Sequence, residues 1–85
     1  MIEKKVMVKI ASGLEARPVA LFVQVASQFQ SSIYVSMQNK KVNAKSIMGM
    51  MSLGILEGES ILLTAEGPDE EESIEKLETY LTTVE

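Results

Sequence analysis

The side chains able to do chemistry in this sequence are Glu15, Arg17 and Ser46, and they work without histidine or cysteine, because the chain contains neither. Glu15 lies in the turn Gly13-Leu14-Glu15-Ala16-Arg17-Pro18, at the mouth of a predicted helix. A carboxylate there can be stabilised by the first helical amides, or in principle accept phosphate as an acyl phosphate. Arg17 offers a guanidinium fork suited to a phosphate or a carboxylate. Ser46 stands immediately before the apolar segment Ile47-Met48-Gly49-Met50-Met51-Ser52-Leu53-Gly54, where a hydroxyl can cap a helix or be modified. The missing imidazole and thiol remove the commonest general base, thiolate chemistry and thiolate zinc sites. Catalysis by this chain is not expected, and nothing in it calls for a bound metal or organic cofactor.

These groups must be positioned by elements that the apolar periodicity reveals. Val6, Val8 and Ile10 alternate with Met7 and Lys9, the pattern of a strand with one buried face. Pro18 is tolerated in a first helical turn, and Val19, Phe22, Val23, Ala26 and Phe29 recur at helical spacing, which predicts a helix from about Ala16 to Phe29. Ile33-Tyr34-Val35, a turn around Gln38-Asn39-Lys40, and Lys41-Val42-Asn43 predict a hairpin. Ser46 and Gly54 bracket two helical turns. Ile61, Leu63 and Ala65 alternate with Leu62 and Thr64 in a strand apolar enough to be central. After Gly67-Pro68, Asp69 and Glu72 have the spacing of a capping box opening a last helix, with Ile74, Leu77, Leu81 and Val84 as its apolar stripe and a Glu72/Lys76 pair on its surface.

The order is β-α-β-β-α-β-α, expected to form an α+β, two-layer open-faced sandwich: a four-stranded, mainly antiparallel sheet covered on one face by helices. At 85 residues the chain is expected to be one domain, 1–85, with a single small core. Without a basic leader followed by an apolar stretch, or an apolar run of about 20 residues, a soluble cytoplasmic protein with no membrane partner is the expectation.

The net charge of -4 conceals a division: residues 1–50 carry a net +5, from Lys4, Lys5, Lys9, Arg17, Lys40, Lys41 and Lys45 against two acids, while residues 51–85 carry -9. One face can thus attract an acidic protein although the whole molecule is acidic. The overall field opposes a polyanion, and no basic helix with base-reading side chains is present, so direct binding to nucleic acid is not expected.

Two stretches, Gly13-Leu14-Glu15-Ala16-Arg17-Pro18 and Lys41-Val42-Asn43-Ala44-Lys45-Ser46-Ile47-Met48-Gly49 with the following Met50-Met51-Ser52-Leu53, closely resemble HPr, the histidine-containing phosphocarrier family of the bacterial sugar phosphotransferase system. The resemblance covers almost the whole chain. It departs from the family at Glu15, which replaces the phosphorylated histidine, and in this the chain looks most like Crh, the catabolite repression HPr-like group.

The resemblance implies that Ser46 is phosphorylated by HPr kinase/phosphorylase. It further implies that the phosphorylated form acts as corepressor for a LacI-type catabolite control protein in carbon catabolite repression. By the same resemblance Ile47, Met48 and Met51 form an exposed docking face, with Arg17 nearby. Met50 and Leu53 are expected to face inward. Lys40, Lys41 and Lys45 suit either a solubilising surface or the steering of an acidic partner. Glu15 has three readings: an exposed acid near a helix start, a fixed charge imitating a phosphorylated state, or an atypical phosphate carrier. Ser46-switched binding to metabolic enzymes is a further alternative. Gly49 has two readings, close approach by a partner or by the sheet. The Ala11-Ser12-Gly13 link leaves both a monomer and a strand-swapped dimer conceivable.

Overall fold

The computed structural model describes residues 1–10 and 16–83, so Glu15, the Ala11-Ser12-Gly13 link and Val84 lie outside the described residues. The elements follow in the expected order: β1 (Ile2–Met7), α1 (Ala16–Ala26), β2 (Ser32–Met37), β3 (Lys40–Asn43), α2 (Ile47–Leu53), β4 (Ser60–Glu66) and α3 (Glu70–Leu81). They build the α+β open-faced sandwich. The sheet runs β1-β4-β2-β3 with every pairing antiparallel, and β4 is an interior strand as its apolar content requires.

Register and burial explain one another. Val6 opposes Ile61, Leu63 opposes Val35, and Val35 opposes Val42, so the apolar set of each strand points to a single face. Val19, Phe22, Val23 and Ala26 of α1 and Ile74, Leu77 and Leu81 of α3 close over that face as one core. A one-residue slip would turn each strand's apolar set outward, which is why alternation fixes the pairing. On the opposite face the row Lys5, Leu62, Ser36 and Lys41 crosses all four strands, and none of its members is buried. The two long helices are joined by Tyr80, whose hydroxyl donates to the Pro18 carbonyl at 3.0 Å and whose ring lies 6.4 Å from that of Phe22.

Several boundaries differ from the sequence expectation. The α1 helix ends at Ala26, not Phe29: Gln28 N–H donates to Val25 O and Phe29 N–H to Ala26 O, a tightening to three-residue spacing that still buries Phe29. The β1 ladder begins at Ile2 and stops at Met7, although burial alternates on through Val8 and Ile10. Beyond Met7 the chain bonds elsewhere, Val8 N–H to Glu59 O and Lys9 N–H to Leu81 O. Among the described residues Lys76 does not close on Glu72; Lys4 pairs instead with Glu78 at 2.7 Å.

The capping box is also absent. Asp69 makes no side-chain bond to its own helix. Its carboxylate accepts from Gln30 N–H and Ser31 N–H, both at 2.9 Å, and from the Ser31 hydroxyl. Those bonds hold the Asp69 carboxyl below its ordinary range, the Ser31 hydroxyl contributing most. Glu70 takes over at the helix mouth by accepting from Gly67 N–H at 3.1 Å, which, with the chain's amino terminus 3.3 Å away, lowers its pKa as well.

Candidate functional site

The site is built on the short connection between β3 and α2. Asn43 accepts from Lys45 N–H through its side chain at 2.8 Å and from Ser46 N–H through its carbonyl at 3.0 Å, so the chain is folded back before the helix starts. Ser46 then takes an extended conformation (φ -109°, ψ 115°), and its Oγ accepts from Gly49 N–H at 3.1 Å while its carbonyl accepts from Met50 N–H. It is an N-cap with a half-exposed side chain. Gly54 ends α2 in the left-handed region at φ 60°, where its N–H donates to Met51 O.

Gly49 is explained by packing. A Cβ added there would stand 3.3 Å from Ser46 Oγ and 3.3 Å from Val42 Cβ, so the missing side chain lets the first turn of α2 lie against both the cap and β3. The close approach is made by the sheet.

The helix divides its apolar residues as expected. Met50 and Leu53 are buried, whereas Ile47, Met48 and Met51 are exposed, Met48 at 84%. Met48 and Met51 are neighbours on the outer face at i and i+3. Leu21, exposed on α1, adds an apolar side chain on the helix packed beside α2. Sequence reasoning missed Leu21, although its place outside the stripe of Val19, Phe22, Val23 and Ala26 signals an outward leucine. Asn43 was likewise missed; an Asn just ahead of a helix cap is a local turn signal.

Basic residues are disposed differently from one another. Arg17 is exposed in the first turn of α1 and makes no ion pair with a described residue. Lys40 is exposed at the hairpin, beside a turn in which Gln38 takes a positive φ of 57°. Lys41 places its ammonium 4.9 Å from the Tyr34 ring centroid. Lys45 is half-buried and donates to the Phe29 carbonyl at 2.7 Å, pinning the start of α2 to the turn after α1. Glu15 lies outside the described residues. Among those described, no group of three or more acidic side chains is gathered to hold a metal ion, and no helix is long and apolar enough to cross a membrane.

What this arrangement offers is a half-exposed hydroxyl followed by the exposed apolar side chains Ile47, Met48 and Met51. Residues 2–83 match the family described as PTS HPr component phosphorylation site. The chain is 51% identical over 81 residues to the HPr-like protein Crh of Bacillus subtilis (strain 168), covering 95% of each. It is 54% identical over 81 residues to the HPr-like protein Crh of Halalkalibacterium halodurans, covering 95% of this chain and 96% of that one. The crystal structure of a phosphocarrier protein HPr from Bacillus anthracis superposes with a TM-score of 0.92 at 50% identity, covering 94% of this chain and 95% of the other. Proteins of this kind are non-catalytic phosphocarriers and regulators linked to the phosphotransferase system. This chain belongs to the HPr family and is closely related to Crh.

Proposed function

We propose that the chain is a regulatory protein switched by phosphorylation of Ser46 by HPr kinase/phosphorylase, and that the phosphorylated form is a corepressor of a LacI-type catabolite control protein. The observation that carries this reading is the placement of Ser46 Oγ at the N-cap of α2, half-exposed, with Ile47, Met48 and Met51 exposed immediately after it. Phosphate on Ser46 would add about two negative charges at pH 7 at the amide-rich end of α2, where they are electrostatically favoured. Its oxygens can take over the acceptor role that Ser46 Oγ plays toward Gly49 N–H, so the helix need not melt. A partner reading this surface would meet new charge beside an unchanged apolar face. Arg17, Lys40 and Lys41 are exposed cations that can meet phosphate or partner carboxylates, Lys41 while lying over the Tyr34 ring, whereas the half-buried Lys45 would have to leave the Phe29 carbonyl.

Incubation with ATP or pyrophosphate and purified HPr kinase/phosphorylase tests the reading. Labelling should occur once per chain and vanish in Ser46→Ala. An unlabelled protein, or equal labelling of the variant, would overturn it.

Carriage of phosphate by Glu15 is the alternative that the family's function keeps open, and binding to metabolic enzymes is another. Phosphoenolpyruvate with the general phosphotransferase enzyme would yield hydroxylamine-labile phosphate at Glu15 in a carrier. Affinity capture with phosphorylated and unphosphorylated protein would reveal enzymes whose binding depends on Ser46.

A further inference from the structure

All the sulfur in this chain is thioether, in six methionines and no cysteine. The fold sorts three of them within one short helix. Met48 is 84% exposed, more than any other large hydrophobic among the described residues, and Met51 is 49% exposed, while Met50 between them is fully buried at 0%. Oxidation of a thioether requires contact with the oxidant, so susceptibility follows access, and in this helix access coincides with the outward face next to Ser46.

We propose that Met48, with Met51 second to it, is a site of reversible oxidation by peroxides, and that its sulfoxide closes the apolar docking face beside Ser46. The peroxide O–O bond breaks, one oxygen bonds to the thioether sulfur, and the other leaves as water with both peroxide protons. Sulfur gives up two electrons and the peroxide takes them. A flexible, polarisable apolar group becomes a polar, chiral one, which can no longer be buried against an apolar partner without loss. Capping survives, because the bond from Gly49 N–H to Ser46 Oγ involves no methionine side chain. Met50, in the core with Leu53 and Ala44, remains reduced and keeps α2 attached. Phosphate at Ser46 and oxygen at Met48 thus act on one surface by different means, the first adding recognisable charge and the second removing apolar contact.

This inference rests on the docking reading given above, and the test separates the two. The phosphorylated protein is treated with hydrogen peroxide, each methionine is followed by peptide mass spectrometry, and capture by the catabolite control protein is measured alongside circular dichroism. Met48 sulfoxide should accumulate first and Met51 next, with Met50 unmodified and the helical signal unchanged. Capture should fall about tenfold or more, the scale expected when a buried apolar side chain is lost from an interface. That fall should track Met48 rather than Met1 or Met7, and the two methionine sulfoxide reductases, one for each sulfoxide epimer, with a dithiol should restore capture. Oxidation of Met50 in step with Met48, or full capture with Met48 oxidised, would overturn the inference alone. Failure of the untreated phosphoprotein to be captured would overturn the docking reading and this inference with it, and is seen before any oxidant is added.

Discussion

Asp69 heads α3 but directs its carboxylate to Ser31, across the boundary between α3 and the segment entering β2. Because the same carboxylate also accepts from Gln30 N–H, one side chain satisfies two backbone donors and a hydroxyl in a stretch that belongs to no helix or strand. Asp69→Ala should lower the thermal midpoint clearly, and Asp69→Asn, which keeps the shape without the charge, should lower it less.

The same contact sets a pH dependence. The folded-state pKa of Asp69 lies below its ordinary value of 3.8, so its stabilisation is complete above that value and is lost as pH falls from there through the lower folded pKa. Glu70, depressed by Gly67 N–H and the terminal ammonium, acts in the same direction. Urea titrations between neutral and strongly acid pH should show stability falling on the acid side, and Asp69→Asn should flatten that fall.

Gly67 sits at φ 153°, and a Cβ there would come within 2.6 Å of Ser31 Cα. Backbone cannot yield as a flexible side chain does, so Gly67→Ala should cost about 2–4 kcal/mol, read as a lower denaturation midpoint with an unchanged m-value.

At Gly49 two effects oppose. Alanine gains about 1 kcal/mol in helix propensity but must crowd Ser46 Oγ and Val42 Cβ, each 3.3 Å from the added atom. Gly49→Ala should therefore leave stability within about 1 kcal/mol of the parent. Phosphorylation of Ser46 should slow, because the hydroxyl loses room to leave its cap; a kinetic assay with the kinase reads this directly.

Methionines two residues apart, on opposite faces of α2, should behave oppositely. Met50→Ala removes a fully buried side chain and should cost about 2–5 kcal/mol in denaturant unfolding. Met48→Ser, at an exposed position, should change stability by no more than about 0.5 kcal/mol while weakening partner capture.

Much of the fold was legible because its signals are local or periodic. Val6, Ile61 and Leu63 announce their face by alternation, and Ser46 and Gly54 mark the ends of α2 by their own conformational preferences. The candidate site was legible for the same reason: the cap, the inward Met50 and the outward Met48 lie on one short segment. Asp69 was misread because the sequence shows the Glu72 that could complete a box but not the Ser31 brought against it by the pairing of β2 with β4. The bond from Lys45 to the Phe29 carbonyl was not legible for a similar reason, since it joins two segments distant in sequence that the fold brings together. The three lysines, close in sequence, are sent to different surroundings by the hairpin and the turn that follows it.

The placement of β1 at the sheet's edge has a kinetic corollary. Among the described strands β1 comes first in sequence, yet its only neighbour is β4, the last. During synthesis it has no strand to pair with until β4 has left the ribosome, whereas the β2–β3 hairpin can close at once from adjacent residues. The slow event in assembly is therefore expected to be the docking of β1 on β4, a long-range closure whose entropy must be met before its contacts form. Substitutions in the hairpin and in β1 should accordingly separate in refolding experiments, those in the strand formed earlier altering the refolding rate more and those in the strand docked later the unfolding rate.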